Sequence, residues 1–251
     1  MTQQTLTRLR HLKLTGMADA VQQQLEHAST YEGLPFIERL SLLVEHEQLS
    51  REQRKQARLV KQARLKLQAT VQEVDYQSAR NLERSQVANL AQGEWLRRGQ
   101  NLLITGPCGC GKTYLACALG YQACQQGHST RYYRLPRLLL ELSQAKVDGS
   151  YARLLGQLAR IELLILDDWG LEAVNAEQRN ALLEIMDDRY GKYSTVVVSQ
   201  LPTEEWYASL GDNTLADAIL DRLMHNAHRL SLKGESMRKR RSELTQSEHS
   251  S

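Results

Sequence analysis

GPCGCGKT, residues 106–113, packs three glycines, a lysine and a threonine into eight positions directly after the apolar run NLLIT. Gly106, Gly111, Lys112 and Thr113 fill the pattern G-x-x-x-x-G-K-[ST]. An apolar stretch that reads as a strand precedes it, and a helical stretch, TYLACALGYQAC, follows, which is the context the pattern needs. Glycines let backbone N–H groups turn toward a phosphate without a Cβ in the way. The following helix presents its positive end to the same anion. Lys112 adds a mobile cation, and Thr113 offers a hydroxyl to Mg²⁺. The candidate nucleotide-binding residues are Gly106, Pro107, Cys108, Gly109, Cys110, Gly111, Lys112, Thr113 and Tyr114, with ATP and Mg²⁺ as the implied ligands.

A second stretch supplies carboxylates. In LLILDDWG four apolar residues precede Asp167 and Asp168. A buried strand that ends in a carboxylate is how a metal is held beside a triphosphate. Asp167 and Thr113 are therefore the candidate metal residues. Asp168, one position on, is the candidate that orients and polarises an attacking water. The plain alternative for Asp168 is a cap on the next turn.

Positioning these groups calls for a strand-and-helix scaffold. Five short apolar runs read as strands: NLLIT (101–105), TRYYR (130–134), LLILD (163–167), TVVVS (195–199) and HRLSL (228–232). Helical stretches separate them, so a parallel sheet covered on both faces is expected. Before residue 70 the pattern is helical throughout, with Gly16 breaking an amphipathic start. Pro35 begins a long helix in which Phe36, Leu40 and Leu43 repeat at helical spacing. The expected division is a helical N-terminal domain at 1–68, a connector with one helix at 69–100, an ATPase core at 101–241 and a polar tail at 242–251.

Composition narrows the setting. The formal net charge is only +3, but residues 51–66 hold seven basic residues against one acid, and KGESMRKRR (233–241) holds five against one. Such runs are solvated helix faces or contacts for a polyanion. Cys108, Cys110, Cys117 and Cys124 lack the spacing and histidine partners of a zinc site. Cys117 and Cys124 share a helix face and read as small apolar residues, and HNAH (225–228) reads as incidental. No apolar run is long enough to span a membrane and no signal peptide is evident, so a cytoplasmic protein is expected.

TRYYR lies between the two motif strands in sequence, and with the acidic pair the core resembles the AAA+ class of ATPases, in which an extra strand is inserted between the two motif strands of the sheet. In that pattern TVVVSQLP corresponds to the sensor strand, with Ser199 or Gln200 near the γ-phosphate. Arg222, on the helix before the last strand, corresponds to the arginine that reaches the neighbouring subunit's nucleotide. A surface arginine paired with Asp217 or Asp221 is the alternative. The combination of LDDWG, SQLP, DAILDRL and GESMRK, together with GMADA and the basic helix, resembles the IstB-type helper ATPases of bacterial insertion sequences, relatives of DnaC-type helicase loaders. The resemblance implies a protein that binds ATP, oligomerises on double-stranded DNA, deforms it and presents it to a transposase under control of hydrolysis. Only 19 residues follow Leu232, too few for the usual C-terminal lid domain. A neighbouring subunit is then expected to close the site, and Arg238 is a possible substitute for a lid-borne sensor. A DNA-facing surface between TRYYR and LLILD offers Arg134, Arg137, Lys146 and Arg153 for phosphate contacts. A replicative helicase loader is the nearest alternative, and a small-molecule kinase a more distant one.

Overall fold

The computed structural model describes residues 2–76, 80–211, 213–234 and 236–237. The chain forms two compact units, Met1–Arg58 and Leu59–Ser251. The expected boundary after residue 68 thus has its counterpart after Arg58. Arg238 and the tail 242–251 lie outside the described residues.

In the first unit α1 (Thr2–His11), α2 (Thr15–Glu26), the short α3 (Ala28–Tyr31) and most of α4 (Phe36–Ala63) follow one another. The break between α1 and α2 falls at Leu12–Leu14, where Lys13 takes a φ of 60°. Gly16, expected to be the breaker, lies inside the first turn of α2 instead. A Cβ there would stand 2.7 Å from Ser50 Cβ and 2.9 Å from Glu47 Cα, so its missing side chain allows α2 to approach α4. His46 Nδ1 lies 2.9 Å from the Gly16 carbonyl. Glu47, 6% exposed, accepts the Met17 N–H at 3.0 Å and the Arg51 Nε–H at 2.7 Å. Phe36 stays 77% exposed, so the apolar stripe read from position 36 starts outside the packed part of the unit. Helix α4 ends where Arg64 adopts a φ of 50°.

The last turn of α4 belongs to the second unit: Leu59 and Ala63 pack with Cys124. The connector carries two helices, not one: α5 (Arg84–Ala91) and α6 (Glu94–Arg97). Gly93, in the left-handed region at φ 77°, separates them. Strand β1 (Asn101–Thr105) leads to α7 (Lys112–Gln125), and β2 (Thr130–Arg134) leads to α8 (Leu135–Val147) and α9 (Tyr151–Leu158). Then come β3 (Leu163–Trp169), α10 (Ala176–Arg189) and β4 (Ser194–Ser199). A 3-10 turn at Thr203–Glu205, α11 (Trp206–Leu210), α12 (Asn213–Met224) and β5 (Ala227–Ser231) complete the unit.

The five strands are parallel and ordered β2-β3-β4-β1-β5. All five expected strands form, and the inserted strand between the motif strands β1 and β3 is β4. Alternation sets the two faces. Leu102, Ile104, Ile165, Val196 and Val198 face α5 and α7, while Leu103, Leu164, Leu166 and Val197 face α8, α10 and α12. Cys117 sits in the first of these clusters and Cys124 beside the end of α4, both fully buried. Burial raises both thiols above their ordinary value. They pack as small apolar residues. No helix among the described residues is long and apolar enough to cross a membrane.

Glu47 gives the first unit a pH signature. Burial alone would raise its carboxyl, but the Arg51 hydrogen bond and the Met17 N–H outweigh that and hold it below the ordinary 4.5. Its stabilising effect is therefore complete above that ordinary value and is lost as pH falls through the lowered one. Glu47→Gln is expected to lower stability near neutral pH by about 1 kcal/mol, with the difference from wild type vanishing in acid. Urea unfolding of the full chain across the acid range measures it. An equal difference at every pH would remove the carboxylate charge from the account.

Candidate nucleotide site

The phosphate loop follows β1 at the carboxyl edge of the sheet. Gly106, Gly109 and Gly111 take φ values of 143°, 81° and 96°, in the region where other residues are strained. Gly111 caps α7, so the loop and the helix N-terminus aim N–H groups at one point. Two of the glycines also admit the segment that follows β5. A Cβ on Gly106 would stand 2.3 Å from the Leu232 carbonyl oxygen, and one on Gly109 would stand 2.2 Å from Ser236 Oγ. The Met237 N–H donates to the Gly109 carbonyl at 2.9 Å. Ser236 and Met237 of GESMRK thus lie directly on the phosphate loop.

Lys112 is buried, and its ammonium donates to the Gly106 and Pro107 carbonyls at 2.6 and 2.7 Å. Pro107 and Cys108 are exposed and Cys110 is buried. The Tyr114 hydroxyl donates to Glu73 at 3.1 Å. Thr113 and Asp167, 54 positions apart, meet: the hydroxyl donates to Asp167 Oδ2 at 2.9 Å. The Tyr132 hydroxyl donates to the same oxygen at 2.6 Å, Lys66 Nζ lies 3.8 Å from it, and the Asp168 N–H donates to Oδ1 at 2.9 Å. Burial and the Asp167 carboxylate raise the Tyr132 phenol far above its ordinary value, so Tyr132 acts as a hydrogen-bond donor. Neither Tyr132 nor Lys66 carries a motif. The alternation of TRYYR puts Thr130 and Tyr132 on one face, the one hint available in sequence.

Strand β3 bulges at the acidic pair. Leu166 pairs with Val197 and Trp169 with Ser199, so two residues oppose one. Asp168 adopts a φ of 63°, a left-handed conformation that costs a non-glycine residue of order 1 kcal/mol or more. The bulge turns it out of the ladder, where its Oδ2 accepts Arg134 Nε at 2.5 Å. The Asp168 carboxylate in turn raises the Arg134 guanidinium above its ordinary value. Arg134, counted among the DNA-facing candidates, is thus paired to the candidate water-positioning carboxylate.

The Ser199 hydroxyl donates to the Trp169 carbonyl at 2.8 Å and accepts the Leu201 N–H at 3.0 Å. It pins the end of the bulge, while Gln200 is exposed. Arg222 lies at the opposite edge of the sheet. Its carbonyl accepts a hydrogen bond from Asn101, at the start of β1, whereas the loop begins at the strand's far end, about 13 Å away by strand length. Its guanidinium pairs with Asp187 and donates to the Ala218 carbonyl, so the partner is Asp187, not Asp217 or Asp221. Arg137 and Arg153 are exposed on α8 and α9. Lys146 pairs with Glu177 at 3.2 Å and lies over the Tyr151 ring. Val147, the last residue of α8, is 90% exposed.

A phosphate loop on β1, an acidic pair at the end of β3 and an inserted β4 between them fit the P-loop fold of the AAA+ class. Solved structures share this fold. DnaI aligns with a TM-score of 0.58 at 22% identity, over 66% of this chain and 91% of that one. The DnaC helicase loader aligns at 0.57 and 20% identity, over 66% and 97%. Within that class the chain belongs to the IstB-like ATP binding protein family, whose model matches residues 7–245. A Sinorhizobium fredii protein that carries the name insertion sequence ATP-binding protein is 48% identical over 94% of this chain and 96% of its own. A Pseudomonas aeruginosa protein of the same description, from insertion sequence IS21, is 36% identical over 92% and 86%.

The two loop glycines that admit the carboxyl-terminal segment provide a test. Gly109→Ala adds both a strained φ and a Cβ into the place of Ser236. At 1–3 kcal/mol for the strain, ATP affinity is expected to fall about tenfold or more. Calorimetric titration checks this, and an unchanged affinity would show that the loop opens away from Ser236 at no cost.

Proposed function

We propose that this chain hydrolyses ATP with Mg²⁺ as a helper of DNA transposition. It oligomerises on double-stranded DNA, deforms it, and recruits or activates a transposase, with hydrolysis ending the complex. The insertion-sequence setting comes from the names of its relatives. The observation that carries the hydrolytic part is the meeting of Thr113 and Asp167 beside an out-turned Asp168.

The residues suit the chemistry. Thr113 Oγ1 and Asp167 Oδ2 are adjacent hard oxygen donors, the kind that Mg²⁺ takes beside nucleotide phosphates. When bound, that ion would offset negative charge on the nucleotide phosphates. Lys112 exchanges its loop carbonyls for phosphate oxygens. Asp168 keeps Oδ1 available to accept a proton from water while Arg134 holds Oδ2. Arg222 cannot serve its own loop, since it sits at the other edge of the sheet. It serves the nucleotide of the next subunit, which makes turnover depend on assembly. Ser199 contributes by fixing the bulge, and Gln200 is the freer of the two sensor candidates. Arg134, Arg137, Lys146 and Arg153 meet DNA phosphates, with little base selectivity. A DNA phosphate that draws Arg134 away would release Asp168, coupling DNA contact to hydrolysis.

Three outcomes test the reading. Asp168→Asn should bind ATP normally but lose turnover, with DNA complexes outlasting those of wild type in a gel-shift time course. Normal turnover in that variant would reduce Asp168 to a structural role. Arg222→Ala should also bind ATP and lose hydrolysis by roughly 10³–10⁵. Mixing it with Lys112→Ala should restore part of the activity, because some interfaces then pair an intact loop with an intact Arg222. Failure to recover despite proven co-assembly would exclude action in trans. DNA affinity should fall steeply with salt on two unrelated duplexes alike; a flat response, or capture of a ring helicase in place of a transposase, would replace this reading with another.

A further inference from the structure

Among the described residues of the second unit, two arginines are almost wholly buried, and they differ. Arg189, 1% exposed, spends its guanidinium on Thr195 Oγ1 and on the carbonyls of Leu158, Ile161 and Ser194, at 2.6 to 3.1 Å. It is a structural clamp. Arg80, 6% exposed, makes a single side-chain hydrogen bond among the described residues, from Nη1 to the Cys110 carbonyl at 3.3 Å. Its Nε and Nη2 are buried without a partner. A buried cation with unmet donors costs free energy that packing alone does not return.

The unmet donors are not scattered. Nε–H and Nη2–H form one edge of the planar guanidinium, the parallel pair that grips two oxygens of a carboxylate or phosphate. The Cys110 carbonyl anchors the opposite corner. The Lys233 N–H donates to the Arg80 backbone carbonyl at 2.9 Å, fixing the residue from behind. Arg80 lines a cleft of about 290 Å³ together with Gly109, Gly111, Lys112 and Thr113. A Cβ on Gly111 would stand 2.8 Å from Nη1. Glu73 and Asp75 line the same cleft, and neither accepts from Nε or Nη2. Asp168 is not among the residues that line it.

We infer that Arg80 is a nucleotide contact delivered from the connector: its Nε–Nη2 edge takes non-bridging oxygens of the phosphates that ATP and ADP share. The inference rests on the loop's being the nucleotide site. It gives Arg80 a role unlike that of Arg222. Arg80 holds nucleotide before and after hydrolysis, and Arg222 acts on the γ-phosphate alone.

The test uses the full chain with Arg80→Met, which keeps the stem and removes the charge, and Arg80→Lys, which keeps the charge and removes the fork. ATP and ADP affinities are measured by titration calorimetry, melting temperature without nucleotide by fluorescence, and turnover by phosphate release. Arg80→Met should weaken ATP and ADP by the same factor, roughly tenfold to a hundredfold, with Arg80→Lys between it and wild type. The loss should appear in KM more than in kcat. Because the variant discards a buried unpaired charge, its melting temperature without nucleotide should match or exceed that of wild type. Unchanged affinities, a loss confined to ATP, or a lower nucleotide-free melting temperature with normal affinity would each overturn the inference. Lys112→Ala is the companion control. If it loses nucleotide while Arg80→Met does not, the Arg80 role alone fails; if it binds normally, the loop reading fails with it.

Discussion

The second unit is organised around one buried carboxylate. Asp167, 2% exposed, would leave buried oxygens without partners in an apolar layer if no donors surrounded it. Its donors come from different parts of the chain: the loop helix through Thr113, the edge strand through Tyr132, and its own neighbour through the Asp168 N–H, with Lys66 close by. Satisfying Asp167 therefore sets the distance between β2, β3 and α7. It also ties the turn of the bulge to the position of the phosphate loop. A carboxylate held by donors from separate elements is a poor place for slack, which suits the metal-holding role proposed for it.

Around that hub, strain and satisfaction are divided between neighbouring residues. Asp167 stays in the ladder and is fully bonded. Asp168 leaves the ladder in a left-handed conformation, and the Ser199 hydroxyl, Trp169 and Trp206 hold the strand end that permits it. The rings of Trp169 and Trp206 lie 5.4 Å apart. Adjacent carboxylates thus acquire different environments from one bulge, one built in and one presented.

Much of this was legible in the sequence because backbone regularity leaves a trace. Short apolar runs separated by helical stretches located every strand, and the glycine pattern located the phosphate loop. The side-chain partnerships left no such trace. Tyr132 and Lys66 reach Asp167 only because β2 lies beside β3 and the chain after α4 folds onto the core, a tertiary fact with no local signature. Arg134 looked like a free surface cation until the bulge brought Asp168 to it. Gly16 read as a helix breaker because propensity treats glycine by entropy, whereas here a neighbouring helix needs the missing Cβ. Two short helices in the connector read as one because Gly93 separates them in a region of weak periodicity. The division after Arg58 falls within α4, where helical periodicity has no reason to pause. Arg80 belongs to no motif at all; only its burial and its unmet donors single it out.

The contact between the phosphate loop and the segment after β5 bears on how such chains diverge. At Gly109 the missing side chain makes room for Ser236, a partner far off in sequence, while at Gly106 the neighbour is a backbone carbonyl that any residue at 232 would carry. At position 109 a shift of the carboxyl-terminal segment would clear the space but leave the φ of 81°, and position 106 stays closed as long as β5 runs on past the loop. A side chain introduced at either glycine without movement of the segment after β5 would bring a clash.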